Sequence, residues 1–189
     1  MRKYIFATLT IFACSLSFSA EAALSFKASQ DLYSHNETNS LHITADEARV
    51  LWALNQQEAS GRQHVRPRHE PGFYRRYLKD NSLFKAAEDK YGAQAISSSY
   101  GPWQIMYTTA VQYGYSGAPE DLSHPATSLP FVLKYIRRLE SRFDQNLENV
   151  ISAYNAGPGG VGTNPYYTTR VLSFLKKAPE SWTVFGATA

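Results

Sequence analysis

A capping box leading into one apolar stripe fixes the first element this chain can fold into. Thr44-Ala45-Asp46-Glu47 sets a threonine where its hydroxyl can cap a helix, with a glutamate three residues on to bond back. Ala48, Leu51 and Leu54 then recur at helical spacing. Glu58 falls four residues after Leu54 and so continues the same stripe. A helix turns such a stripe toward the core, where a carboxylate is costly unless it is partnered or protonated. Desolvation raises a carboxyl pKa, and a glutamate raised toward roughly 6 can give up a proton near neutral pH. The plainer reading is that Glu58 frays into solvent at the last turn. The rest of the chain has to decide between them.

Helical signals continue from Thr44 onward. Ser82 can cap a helix over Leu83 to Tyr91 that Gly92 stops. Thr108 opens a brief helix ending near Gly114. A long helix is expected from about Ala126 to Phe143, with Leu129, Leu133, Ile136, Leu139 and Phe143 inward and Pro130 near enough to its start to be tolerated. Asn146 can cap the next, which carries Val150, Ile151 and Tyr154 and stops at Gly157-Pro158. Asn164-Pro165, a cap followed by an N1 proline, begins a last helix running to about Lys177. Strand patterns are scarce, with Tyr100 to Gln104 the one extended stretch expected. The fold class is therefore mainly α with little strand.

The ends read differently. Arg2 and Lys3, the apolar run Tyr4 to Ala13 and Ala20-Glu21-Ala22 make residues 1–22 an export signal with an A-x-A cleavage site. It is too short to span a membrane. A lipid anchor on Cys14, the single cysteine, is disfavoured by Phe12. The expectation is an exported protein, periplasmic or secreted, with no stable membrane insertion and, once cleaved, no disulfide within the chain. Residues 23–43 read as a polar lead-in, 44–180 as one domain and 181–189 as a tail. The formal net charge is +3, and cleavage lowers it by one. A mild positive balance suits an anionic polymer. Positive charge gathers at Arg62, His64, Arg66, Arg68, Arg75, Arg76 and Lys79. Export argues against nucleic acid as the partner of that patch, so a solvated or wall-facing strip is expected.

Two further segments bear on chemistry: Gly101-Pro102-Trp103-Gln104-Ile105-Met106, and Ala153-Tyr154-Asn155-Ala156-Gly157-Pro158-Gly159. Together with Gln57-Glu58-Ala59-Ser60-Gly61 they resemble, in order and style, the catalytic domain of the soluble lytic transglycosylases, a family similar in fold to goose-type lysozyme. The resemblance covers roughly residues 44–177, and Tyr154-Asn155-Ala156-Gly157 is its most specific part. It implies a lysozyme-like helical domain acting on peptidoglycan glycan strands, with Glu58 as the catalytic acid. By the same resemblance Gln104 and Met106 line the sugar groove, and Tyr154 and Asn155 lie at the site with the tyrosine hydroxyl near the acid. The residue types suit those places, since an amide offers a donor and an acceptor to sugar groups and a thioether a soft apolar contact.

The chain also departs from the family pattern. Gln104 follows Glu58 at a longer spacing than is common, and the extra stretch Arg68-His69-Glu70-Pro71-Gly72-Phe73-Tyr74-Arg75-Arg76-Tyr77 resembles phage-type and specialised wall-lytic members. Trp103 replaces a methionine, and Tyr166-Tyr167 is followed by Thr168-Thr169 where a Glu-Thr pair is usual. The resemblance implies service to a larger machine such as a secretion, conjugation or phage apparatus.

In this family one glutamate both protonates the glycosidic oxygen and assists attack by the muramyl C6 hydroxyl, leaving a 1,6-anhydro end. A hydrolytic muramidase needs a second carboxylate, for which Glu70, Asp80, Glu88 and Asp89 are the candidates. A wall-binding or scaffold protein is the third possibility, though groove binding alone has no need of an acid at position 58. No cofactor or metal is expected, because the histidines show no paired ligand spacing. Gly157-x-Gly159-x-x-Gly162 matches a dinucleotide fingerprint only formally, since no strand precedes it.

Overall fold

The helix promised by the capping box forms as α1, Ala45–Ala59. The Thr44 hydroxyl accepts from the Glu47 N–H at 3.2 Å, and the Glu47 carboxylate accepts from the Thr44 N–H at 2.8 Å. Val50, Leu51, Ala53 and Leu54 are buried along it. The helix ends where Ser60 turns left-handed. The computed structural model of the chain describes residues 41–180, Trp182 and Val184. The expected leader 1–22, nearly all of the lead-in and most of the tail lie outside the described residues.

After α1 an open loop leads to β1 (Arg68–His69), a helical turn at Pro71–Phe73 and a π-helical turn at Tyr74–Leu78. A 3₁₀ turn, Ser82–Phe84, precedes α2 (Lys85–Tyr91), followed by α3 (Ala93–Ile96). Asn81, rather than Ser82, supplies the cap, accepting from the Leu83 N–H. Next come β2 (Ser98–Tyr100), β3 (Ile105–Met106) and α4 (Tyr107–Gln112). The three strands form one antiparallel sheet in the order β1-β2-β3. The extended stretch expected over Tyr100 to Gln104 is thus displaced: residues 101–104 form the tight turn between β2 and β3. Gly101 is required there. Its φ is +72°, and an added Cβ would stand 2.6 Å from the Leu122 carbonyl oxygen.

The rest follows the sequence closely. Helix α5 (Pro125–Arg142) carries Pro130 within its second turn, α6 (Leu147–Ala156) is capped by Asn146, and α7 (Pro165–Leu175) is capped by Asn164. Helix α7 packs along α1, while α6 packs on both α5 and α7. Their buried faces meet around Leu51, Leu54, Trp103, Ile136, Ile151 and Val171. The fold is a mainly helical domain, as the sequence predicts, with a small three-stranded sheet. Among the described residues no helix is long and apolar enough to cross a membrane.

Candidate active site

The end of α1 is held against the β2–β3 turn from two sides. Asn55, one turn before the helix ends, is buried, and its Nδ2 donates to the Arg62 carbonyl at 2.9 Å and the Pro102 carbonyl at 3.2 Å. Trp103 is wholly buried and its indole N–H donates to the Leu51 carbonyl at 3.0 Å. These bonds satisfy polar groups that burial would otherwise penalise. They also fix the turn beside the last residues of α1, where Glu58 and Gln104 line one open cleft of about 460 Å³. That volume falls within the range of small-ligand sites.

Glu58 does not fray outward. Its side chain is 6% exposed. The Tyr167 hydroxyl, from the first turn of α7, donates to Oε1 at 2.7 Å, and Arg68 Nη1 from β1 reaches Oε2 at 3.3 Å. The same guanidinium donates through Nε to Glu70 at 2.8 Å. Burial pushes the Glu58 carboxyl above the usual carboxylate range. The Tyr167 hydrogen bond and the Arg68 charge pull the other way, and Glu70 adds to the rise. Burial prevails because the arginine is shared with Glu70 and touches Glu58 through one long contact. Tyr167 is itself held well above the usual phenol range by burial and by the Glu58 charge, so it stays a hydroxyl donor.

Gln104 sits where the resemblance puts it, on the cleft with Glu58, in a left-handed backbone conformation at φ 48°. Its Oε1 accepts from Ser99 Oγ at 2.9 Å and its Nε2 donates to the Gly101 carbonyl at 3.0 Å. Each amide atom keeps capacity for one more bond. Met106, Tyr154 and Asn155 do not line that cleft. Met106 is half-buried on β3. The Tyr154 hydroxyl is not bonded to the acid: it donates to the Trp103 carbonyl at 2.8 Å. Tyr154 is near enough for the Glu58 charge, after burial, to help push its phenol up. Asn155 is exposed and accepts from Asn164 at 2.9 Å, tying the end of α6 to the cap of α7.

The hydroxyl against Glu58 therefore comes from Tyr167, which sequence reasoning assigned no role. The signal was present, because the Asn164-Pro165 cap phases α7 so that Tyr167 and Val171, four apart, share the inward face. Arg68 offered no comparable signal, since β1 is only two residues long. Of the four candidate second carboxylates, Glu70 is the one tied to Glu58 through Arg68. Glu88 is bonded to Tyr74 and pairs with Lys85, and Asp89 pairs with Lys85 at 2.8 Å.

A lysozyme-like helical fold with a sequestered carboxyl on a polar, sugar-sized cleft defines a class of glycan-processing domains. Residues 44–171 match the Transglycosylase SLT domain, and the chain belongs to that family. Its function is accordingly of the lytic transglycosylase type, directed at peptidoglycan. No solved structure matches the chain.

Proposed function

We propose that the protein cuts the β-1,4 bond between N-acetylmuramic acid and N-acetylglucosamine without consuming water, with Glu58 as both acid and base. The observation that carries this reading is the burial of Glu58 on the cleft, which favours the protonated carboxyl. Glu58 gives its proton to the bridging oxygen as the bond to the muramyl anomeric carbon breaks. The resulting carboxylate takes the proton of the C6 hydroxyl on the same sugar, and that oxygen bonds to the anomeric carbon. The products are a 1,6-anhydromuramyl end and a free 4-hydroxyl, and Glu58 is reprotonated. Holding an internal nucleophile at the reacting carbon is worth several kcal/mol, and the acid contributes about 10²–10⁴-fold. Tyr167 orients the carboxyl, and Gln104 offers its remaining donor and acceptor to the sugar. Met106, Tyr154 and Asn155 fit this reading as supports or as contacts farther along the strand.

The bridge through Arg68 keeps one other reading open, hydrolysis with Glu70 activating a water. Glu70 is not part of the cleft lining and its carboxylate is engaged by Arg68, so transglycosylation is favoured. Mass spectrometry of digested, purified peptidoglycan separates the two, because an anhydro end is lighter than a reducing end by one water. Anhydro ends with the wild type and none with Glu58→Gln are expected. Reducing ends, or full activity in that variant, would overturn the proposal. Soluble fragments from neither would leave a binding or scaffold role.

A further inference from the structure

The cleft beside Glu58 holds more positive charge than the acid uses. Arg62, His64 and Arg66, from the loop between α1 and β1, line it along with Arg68. The Arg68 charge is met by Glu58 and Glu70. Among the described residues no carboxylate forms an ion pair with Arg62 or Arg66, and both are exposed. The Arg62 Nε donates to the Ala59 carbonyl at 3.0 Å, which steadies the side chain at the end of α1 where the residue lines the cleft. The loop is pinned at both ends, by Asn55 on the Arg62 carbonyl and by the pairing of β1 with β2. Its cations are thus presented from a fixed frame.

A glycan strand gives such cations nothing to pair with, since its hydroxyl and acetamido groups are neutral. The muramyl ring, however, carries a lactyl ether and a peptide stem bearing several carboxylates, on the same ring as the reacting carbon. We infer that the loop carrying Arg62, His64 and Arg66 is a subsite for the stem carboxylates of the muramyl residue held at Glu58, so that the site prefers stem-bearing strands to stripped ones. The inference rests on the peptidoglycan reading of the cleft, not on the product formed there. Guanidinium groups suit the task because their planar fork binds a carboxylate through two parallel bonds. Each pair at an exposed rim is weak, but several cations along one cleft concentrate the field on an incoming anion.

The test measures binding in the Glu58→Gln background, so it reads out whether or not strands are cut. Three purified ligands are compared: stem-bearing strands, strands stripped by an amidase and then amidated at the lactyl carboxylate that the cut exposes, and stem-bearing strands with their carboxylates amidated. Stem-bearing strands should bind about tenfold more tightly than stripped ones, and amidated strands should bind like stripped ones. Adding Arg66→Gln should cut the preference by about threefold, while Arg66→Lys, which keeps the charge but not the fork, should cut it by less. Equal binding of all three ligands, or a preference that persists unchanged in both Arg62→Gln and Arg66→Gln, would overturn the inference. A wild type that shows the preference yet releases no fragments would sink the catalytic reading and leave the subsite standing. A wild type that cuts peptidoglycan but binds the three ligands alike would do the reverse.

Discussion

Helix α1 carries a glutamate near each end, and the two meet opposite fates. Glu47 and Glu58 have side chains 9% and 6% exposed, and each faces one arginine. Burial pushes both carboxyls up. At Glu47 the push is outweighed, because Arg137 donates from Nε at 2.5 Å to one oxygen and from Nη2 at 3.1 Å to the other, while the Thr44 N–H donates as well. That carboxyl is held below its usual range. Glu47 also stands in the first turn, where the helix dipole favours a negative charge. Glu58 stands in the last turn, where the dipole opposes one. Its arginine is divided with Glu70, and its other partner is a neutral phenol. Burial alone does not decide a carboxyl's state: the number of charged donors and the end of the helix do. One end of α1 is built for stability and, under the proposed function, the other serves chemistry.

The sharpest way to break this contrast is Glu58→Gln. It should lower kcat/KM on peptidoglycan by about 10²–10⁴-fold or more while circular dichroism and cooperative melting are retained. Glu47→Ala should do the converse. It removes the carboxylate half of the capping box and the ion pair, so stability in denaturant should fall by about 2 kcal/mol while kcat/KM per folded molecule is kept. Tyr167→Phe should reduce kcat about tenfold with little change in KM, as expected when a reacting group is left less well aimed. A loss confined to KM would show that Tyr167 serves binding instead.

The smaller effects depend on pH. Arg68→Gln removes the cation that restrains the Glu58 carboxyl, so the alkaline limb of kcat/KM should move to higher pH. A shift to lower pH would place the restraint elsewhere. For stability the signs differ between the two ends. Glu58 is raised in the fold, so its contribution is fully present below its unfolded value and is lost as pH rises through the raised one. Glu58→Gln should therefore gain in melting temperature over the wild type as pH goes from acid to neutral. Glu47 is lowered, so its contribution is present above its unfolded value and is lost as pH falls through the lowered one. The melting-temperature penalty of Glu47→Gln should shrink in that acid window.

Features written in local chemistry were legible in the sequence. The capping box of α1, the Asn146 cap, the Asn164-Pro165 start of α7 and the Gly92 and Gly157 stops all lie where spacing and turn residues put them. The phase of α1 puts Glu58 on the inward stripe but leaves fraying open, and it is the resemblance carried by the Gln104 and Tyr154 segments that points to a sequestered acid. What required the structure was long-range. Residues 101–104 look extended from local composition, yet become a turn because Asn55 and Trp103 fasten them to α1. Tyr154 looked like the partner of the acid, but its hydroxyl is used on the Trp103 carbonyl, and Tyr167 from a different helix takes that place. The π-helical turn at Tyr74–Leu78 and the strand at Arg68–His69 have no local pattern of their own. Their positions are set by what packs and pairs with them.

The most direct test of the contrast is a carboxyl-detected NMR titration of the folded protein with labelled glutamate. The Glu47 and Glu58 signals are assigned by their loss in Glu47→Gln and Glu58→Gln. The account requires Glu58 to hold its proton above the ordinary glutamate range and Glu47 to lose its proton below it. Coincident titrations, or the reverse order, would contradict the claim that the two ends of α1 tune the same side chain in opposite directions.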